Sequence, residues 1–343
     1  MKKVLNYIIL IGLFGVTLWI ILNENYIGNL PALIKNTNKF YLLMSFLCLV
    51  IYWLCEAYII YAMKRTLNIK GSYMKSLKVT MIGQYYSAIT PFSTGGQPVQ
   101  VYSLVSEGVP VGKATSIFIN KFLIFQVVVI SYSIVMLIFR FKFLMDKILL
   151  GIPFIVVGFL LNLLVLFVIF GFFLNEKLVK GHLKKLVALG HKLKIVKDTQ
   201  SAEEKLNKSL SDYKNSINEM RSNKKSTIEL VIISIIQLTF SLGITYFVYR
   251  AVGLKGAHFY DVIALQALHY MAVSFMPTPG TAGAAEGGFY MIFNAIFPKN
   301  IMNFALLVWR FIDYYLRLII SGSITLIDFI QKKFNRLAGD TPQ

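Results

Sequence analysis

Long apolar segments alternate with short polar ones along most of the chain. Six of them are uninterrupted and reach the roughly 17–25 residues that cross a bilayer as a helix: Leu5–Leu22, Phe40–Ala62, Ala114–Phe139, Leu149–Leu174, Thr227–Tyr249 and Ile301–Ile327. No small-residue cleavage site follows the first segment, so it is predicted to be a retained span and not a signal peptide. The pattern predicts an all-α, polytopic transmembrane helix bundle that forms a single integral membrane domain over residues 1–343.

Two further apolar segments are interrupted by proline and glycine. Val79–Tyr102 contains TPFSTGGQP, and Asp261–Pro298 contains MPTPGTAGAAEGG. Backbone that leaves helical geometry at membrane depth is tolerated only inside protein or beside a wet cavity. We therefore predict two re-entrant or broken helical hairpins in addition to about six full spans. Kinked full spans with a different loop topology are the alternative.

Composition and charge add an orientation. The chain is 56% hydrophobic and only 15% charged, whereas soluble domains carry about 25% charged residues. Its net charge is +19, and 23 of its 35 Lys and Arg residues lie in connections on one side of the predicted spans: 1–3, 63–78, 175–226 and the tail after Gln331. Only eight lie on the opposite side. This distribution predicts cytoplasmic N- and C-termini, and it explains the basic charge without a nucleic-acid partner.

The same orientation places the two hairpins on opposite faces of the membrane. The first is predicted to enter from the cytoplasm and the second from outside, so that the two breaks meet near the midplane. Discontinuous helices in corresponding positions are the sequence signature of a transporter-type binding site.

The basic cytoplasmic loop 175–226 contains GHLKKLVALGHKLKIV, residues 181–196. Its apolar residues have roughly helical spacing, with lysines on the other face. This pattern indicates an amphipathic helix on anionic head groups, or an ordinary solvated linker.

The two breaks supply most of the candidate substrate-binding residues. Gly95 and Gly96 are expected to permit the sharp turn, and the helix that follows would present free N–H groups to a phosphate or carboxylate. With neighbouring polar side chains, the candidates are Ser93, Thr94, Gly95, Gly96, Gln97, Gln100, Pro279, Gly280, Thr281, Gly283 and Glu286.

Ionisable residues inside spans supply the rest, because such residues usually have a function. Arg310, Asp313 and Arg317 share one helix face and carry a net charge of +1, which suits an anionic head group or an ion network between helices. Lys121 could reach a phosphate or extend to the cytoplasmic surface.

Two glutamates are candidate proton carriers. Glu56 lies mid-span and could instead pair with a buried Arg or Lys, and Glu286 lies just inside the helix after the second break. The four histidines form no metal-ligand spacing, and no nucleophile or nucleotide motif occurs. No catalytic residue, metal or cofactor is therefore predicted.

The ordered pair TPFSTGGQPVQVYSL and MPTPGTAGAAEGGFY resembles the paired signature of the lysylphosphatidylglycerol synthase transmembrane region, a flippase-like family of bacterial membrane proteins. The resemblance implies translocation of an anionic or aminoacylated phospholipid, or of a related lipid-linked head group, across the bacterial cytoplasmic membrane. The matching positions are Pro91, Gly95, Gly96, Gln97, Gln100, Pro277, Pro279, Gly280, Gly283 and Glu286.

The full synthases that this family resembles add a soluble C-terminal transferase domain. The chain ends at Gln343, soon after its last predicted span, so we do not expect lysyltransferase activity. Two alternatives to translocation remain: an intramembrane lipid-modifying enzyme, and a membrane partner that scaffolds a separate synthetase. The expected partners are an anionic phospholipid, the membrane and a possible second copy of the chain.

Overall fold

The computed structural model describes residues 30–147, 151–174, 181 and 199–337. Most of these residues are helical, with no strand among them, so the predicted all-α class is confirmed. In chain order the helices are α1 (Leu30–Asn36), α2 (Lys39–Thr66), α3 (Tyr73–Ile89), α4 (Gly96–Ser106), α5 (Val111–Phe139), α6 (Phe141–Lys147), α7 (Ile152–Leu174), α8 (Thr199–Ser222), α9 (Lys224–Ala251), α10 (Phe259–Val273), α11 (Ala284–Phe293), α12 (Lys299–Arg310) and α13 (Arg317–Leu337).

Four helices in the described part of the chain are long and apolar enough to cross a membrane: α2, α5, α9 and, over Ile152–Gly171, α7. They coincide with four of the six predicted spans, and the predicted span Leu5–Leu22 lies outside the described residues. Large apolar side chains on their outer surface are solvent-accessible, including Ile138 at 70% and Phe167 at 67%. Such an apolar surface is unfavourable in water but favourable against lipid.

The sixth predicted span, Ile301–Ile327, is not one regular helix. A π-helical turn at Phe311–Leu316 separates α12 from α13. Single π turns occur frequently at functional sites, and this one contains Asp313 and lies between Arg310 and Arg317. Apolar periodicity alone does not predict the wider turn, because the residues around it are apolar at the spacing of an ordinary helix.

Helices α2 and α9 lie antiparallel at the centre of the bundle. Asn38 N donates to Ala251 O over 2.9 Å where α2 begins and α9 ends. At the other end, Thr66 Oγ1 lies 3.0 Å from Ser226 Oγ. The C-terminal ends of α2 and α9 therefore lie at opposite ends of the bundle.

A broken hairpin follows each of these two helices. Hairpin 1 consists of α3, the 3₁₀ turn Pro91–Ser93 and α4; hairpin 2 consists of α10, the 3₁₀ turn Pro279–Thr281 and α11. The hairpins therefore start at opposite ends of the bundle, and their 3₁₀ turns contact each other. In each hairpin the second leg packs back along the first. The prediction of two broken hairpins is therefore confirmed, and the alternative of kinked full spans is not.

The chain thus repeats one order of elements in opposite directions: a long helix, a broken hairpin and a long helix. The contacts of the two units correspond. Arg140 at the end of α5 forms an ion pair with Asp261 at the start of α10, and Lys78 at the start of α3 forms one with Asp328 on α13, at 2.8 Å. This arrangement is an inverted-topology repeat, which in transporters places the binding site where the two units meet.

The predicted basic loop 175–226 contains a helix that we did not predict, α8. Its apolar side chains recur at three- and four-residue intervals, and Leu210, Ile217 and Met220 are buried. The helix packs on the start of α5, where a Cβ added to Gly112 would lie 2.1 Å from Ser209 O. The predicted amphipathic stretch 181–196 lies outside the described residues, apart from the backbone position of Gly181.

Candidate functional site

The two breaks begin with the same backbone conformation. In each, a threonine in extended geometry precedes a proline. Two residues with positive φ follow: Phe92 (55°) and Ser93 (53°) in the first break, and Gly280 (59°) and Thr281 (56°) in the second. Positive φ is uncommon for residues other than glycine, and such strained positions cluster at functional sites.

Gly95 and Gly96 have a different role from the predicted one. Gly95 has a φ of −72°, so the turn does not require glycine there. Instead, a Cβ on Gly96 would lie 2.7 Å from Gly83 O. These glycines therefore allow the two legs of hairpin 1 to approach closely, which is a packing requirement and not a conformational one.

A cavity of about 170 Å³ lies where the two breaks meet the π turn. Six of the predicted binding residues line it, and they come from both breaks and from the π-turn region: Ser93, Gly280, Thr281, Arg310, Asp313 and Arg317. The fold thus brings together side chains that are more than 200 residues apart in the chain.

Arg310 connects the π-turn region to hairpin 2. Its Nε donates to Glu286 Oε1 over 2.6 Å, and its Nη2 donates to Gly280 O over 2.8 Å. Glu286 Oε2 in turn accepts from Gly283 N over 2.7 Å, so Glu286 caps the start of α11. The positive end of that helix is therefore already partly compensated by a carboxylate.

Arg317 connects the same region to hairpin 1. Its Nη2 donates to Asp313 Oδ1 over 3.1 Å, and its Nη1 donates to Gln84 Oε1 over 3.3 Å. Its guanidinium also lies 4.7 Å from the centre of the Tyr52 ring, a distance at which a cation is attracted to an aromatic face.

The network continues to the mid-span glutamate. Gln84 Nε2 donates to Glu56 Oε2 over 2.5 Å, and Lys121 forms an ion pair with Glu56. The pairing that we considered for Glu56 is therefore present, with Lys121 as its partner. A proton-carrier role for Glu56 remains a prediction, as it does for Glu286.

The Arg310–Asp313–Arg317 group keeps its net charge of +1, and the structure adds the carboxylate of Glu286 beside it. Glu286 compensates Arg310 and Asp313 compensates Arg317, so these four groups sum to zero. The cavity wall consequently presents separate positive and negative groups instead of a uniformly positive surface.

Tyr314, in the π turn, contacts both hairpins. Its ring packs on Gly280, where an added Cβ would lie 2.1 Å from the ring. Its hydroxyl donates to Ala88 O, at the end of α3, over 3.2 Å. One side chain thus fixes the distance between the two breaks, and we did not select it from the sequence.

The sequence analysis also missed Gln266 and His269, which line the cavity from α10. Gln266 Oε1 and His269 Nδ1 are buried and have no hydrogen-bond partner among the described residues. The available signal was their spacing, because two polar residues three apart in an otherwise apolar helix share one face.

The other predicted binding residues do not line the cavity. Gln100 is buried between the legs of hairpin 1, where its Nε2 donates to Val79 O over 3.3 Å. The remaining members of this group lie in the breaks, in the first turns of α4 and α11 or, for Lys121, on α5: Thr94, Gly95, Gly96, Gln97, Lys121, Pro279, Gly283 and Glu286. Direct contact between these residues and a substrate remains a prediction.

The family described as the lysylphosphatidylglycerol synthase TM region matches residues 5–321. The chain belongs to this family. A UPF0104 membrane protein from Archaeoglobus fulgidus is 25% identical to it over 308 residues, which cover 88% of this chain and 91% of the relative. A relative in an archaeon shows that similar chains are not restricted to bacteria. Membership and the apolar helices together establish a multi-pass membrane protein.

Proposed function

We propose that this member of the family binds the head group of a phospholipid between its two broken hairpins and translocates the lipid from one leaflet to the other. The observation that carries the proposal is the cavity at the contact of the two breaks, lined by Arg310, Asp313 and Arg317. The inverted repeat supports it, since such repeats form alternating-access sites near the bilayer midplane.

The paired charges favour a particular class of head group. A phosphate would be attracted to Arg317. An ammonium would be attracted to Asp313. Because the wall carries the negative Asp313 as well as Arg310 and Arg317, the site suits an aminoacylated head group better than one that carries only negative charge.

The size of the cavity supports binding of the head group alone. Its volume of about 170 Å³ is below the roughly 300–1,000 Å³ of sites that enclose a drug-sized ligand. The acyl chains would remain in the bilayer, next to the apolar outer surface of the bundle.

The test is a translocation assay in proteoliposomes. Fluorescently labelled phosphatidylglycerol, lysylphosphatidylglycerol and phosphatidylcholine are incorporated separately, and an impermeant reductant removes label from the outer leaflet. We expect the label on lysylphosphatidylglycerol from the inner leaflet to become accessible to the reductant faster than the label on the other two lipids. The variant Arg317→Gln should slow this by about tenfold or more, because it removes a partly desolvated charge from the site.

The control is Lys255→Gln, which removes an exposed charge from the connection between α9 and α10 and should leave the rate unchanged. Equal rates for all three lipids, or an unchanged rate in Arg317→Gln with an intact fold, would reject the proposed site. Mass analysis of the recovered lipids separates the alternatives: chemically altered lipid would indicate an intramembrane enzyme.

A further inference from the structure

Helix α10 contributes two hydrogen-bond acceptors to the wall of the central cavity. Gln266 and His269 both line this cavity, and they are only 5% and 1% exposed. Gln266 Oε1 and His269 Nδ1 make no hydrogen bond to any described residue. Nearly all buried polar atoms in proteins are paired. Two unpaired atoms on one face of one helix, beside a cavity, therefore point to a ligand that supplies the missing donors.

The surroundings of His269 determine the chemical character of its unpaired nitrogen. Its Nε2 lies 2.9 Å from Ala285 O. A carbonyl oxygen only accepts, so Nε2 carries the proton, and Nδ1 of the neutral imidazole is an acceptor. The Nε2–Cδ2 edge packs on α11, where a Cβ added to Gly288 would lie 3.0 Å from Cδ2. The rings of Phe289 and Trp309 pack edge-on against the imidazole, so the Nδ1 edge is held away from α11.

A third acceptor lies in the same wall. Asp313 lines the cavity, and its Oδ1 accepts from Arg317 over 3.1 Å. A carboxylate can accept about four hydrogen bonds, so Asp313 has capacity for a further donor. The cavity is small, about 170 Å³, and one compact group fills much of it. A primary ammonium presents three N–H donors to these three side chains, whereas a hydroxyl presents one and a quaternary ammonium presents none.

We infer that Gln266 and His269 are specificity-determining residues that accept hydrogen bonds from a primary ammonium of the bound head group. The site thereby rejects a quaternary ammonium of the same charge, which would leave both buried acceptors unpaired. Sites that bond to N–H or O–H groups discriminate strongly against analogues that lack them. The inference rests on the function proposed above, and it adds that the N–H donors of the ammonium are recognised as well as its charge.

A comparison of lipids at constant charge tests this inference. The full-length protein in detergent is mixed with equal amounts of phosphatidylethanolamine, its N,N-dimethyl derivative and phosphatidylcholine, and the bound lipids are counted by native mass spectrometry. All three carry one phosphate and one cationic nitrogen, with three, one and no N–H donors. The part of the binding that Arg317→Gln removes reports on the central cavity. There we expect phosphatidylethanolamine to exceed phosphatidylcholine by about tenfold or more, with the dimethyl lipid between them.

Two substitutions on α10 make the test specific. Gln266→Met has no hydrogen bond to a described residue to lose, so it should leave the unfolding temperature unchanged or raise it. It should lower the ratio of phosphatidylethanolamine to phosphatidylcholine by about threefold or more, because one acceptor is lost. His269→Gln keeps an N–H that can reach Ala285 O but removes the acceptor at Nδ1, and it should lower the ratio similarly.

The matched control is Gln126→Met on α5. Gln126 is also buried, but its Nε2 donates to Asn162 Oδ1 over 2.7 Å and it does not line the cavity. This substitution should lower the unfolding temperature and leave the lipid ratio unchanged. If Gln266→Met behaves like Gln126→Met in both measurements, Gln266 has a structural role and the inference is wrong.

The outcomes separate this inference from the proposed function. Equal binding of phosphatidylethanolamine and phosphatidylcholine that still depends on Arg317 would overturn the inference and leave the central site in place. Binding of every lipid that is unaffected by Arg317→Gln would overturn both. A preference that survives in Gln266→Met/His269→Gln would show that the size of the head group decides, and would also overturn the inference. Binding is measured without transport, so the expected preference would support the inference even in a protein that translocates no lipid.

Discussion

The two broken hairpins have the same turn but are stabilised differently. In hairpin 1 the turn depends on the hairpin's own atoms: Gly95 N donates to Thr90 Oγ1 over 2.9 Å, and Gly96 allows the legs to touch. In hairpin 2, where Thr278 Oγ1 also donates to Ala282 O, side chains from outside contact the turn as well, since Arg310 and Tyr314 both contact Gly280. One conformation can therefore be specified by close leg packing or by a neighbouring helix.

This difference predicts that hairpin 2 is more sensitive to changes in the π-turn region than hairpin 1. The largest effect is expected for Arg310→Met, which leaves Glu286 buried without its partner and should cost about 3–5 kcal/mol of stability. The measurement is thermal or denaturant unfolding in detergent. Arg310→Met/Glu286→Gln should recover much of the loss, because neither charge is then stranded.

The same pair of variants separates a structural ion network from a binding role. If the double variant folds normally but no longer translocates lipid, Arg310 acts on the substrate as well as on the fold. A single variant with unchanged stability would contradict the role that we assign to the Arg310–Glu286 ion pair.

The second effect concerns the position after the proline in each break. Gly280→Ala should cost about 2–4 kcal/mol, since the new Cβ meets the Tyr314 ring at a positive φ. The matched control is Gly287→Ala in α11, where a Cβ meets nothing within 4 Å. If the two variants unfold at the same temperature, Tyr314 does not constrain this turn.

The third effect tests the leg contact of hairpin 1. Gly96→Ala should cost about 1–3 kcal/mol, because the legs must separate around Gly83 O. The same control, Gly287→Ala, applies. Wild-type stability of Gly96→Ala would show that the legs adjust without cost.

A smaller effect is expected where the two hairpins are joined. Tyr314→Phe keeps the ring against Gly280 and removes the hydrogen bond to Ala88 O, which should cost about 0.5–1.5 kcal/mol. Tyr102→Phe, at a tyrosine of α4 that is 64% exposed, is the matched change. A loss as large as that of Gly280→Ala would mean that the hydroxyl, and not the ring, holds the breaks together.

The smallest effect is expected at the exposed counterpart of Gly280. Phe92→Gly relieves a positive φ at a side chain that is 49% exposed, while it adds backbone freedom to the unfolded chain. The relief of the positive φ and the added freedom of the unfolded chain have opposite effects on stability. The free energy of unfolding should therefore change by no more than about 1 kcal/mol. A larger loss would indicate that the Phe92 ring itself stabilises the break.

The sequence by itself determined the membrane class, the positions of the long apolar helices and the two breaks. These features follow from local properties, namely the length of apolar runs and the places where proline and glycine interrupt them. The paired motifs also indicated the family. The spacing of Leu210, Ile217 and Met220 also indicates the helix α8, although its segment is highly charged.

Only the tertiary structure decided how the polar residues inside the bundle pair. The ion-pair partners of Arg310 and Glu56 lie on other helices, and no local pattern gives the distance between segments far apart in the chain. The zero sum of Arg310, Asp313, Arg317 and Glu286 depends on one such pairing, between Arg310 and Glu286. Burial makes each pairing obligatory, because a charge without a partner in an apolar interior costs several kcal/mol.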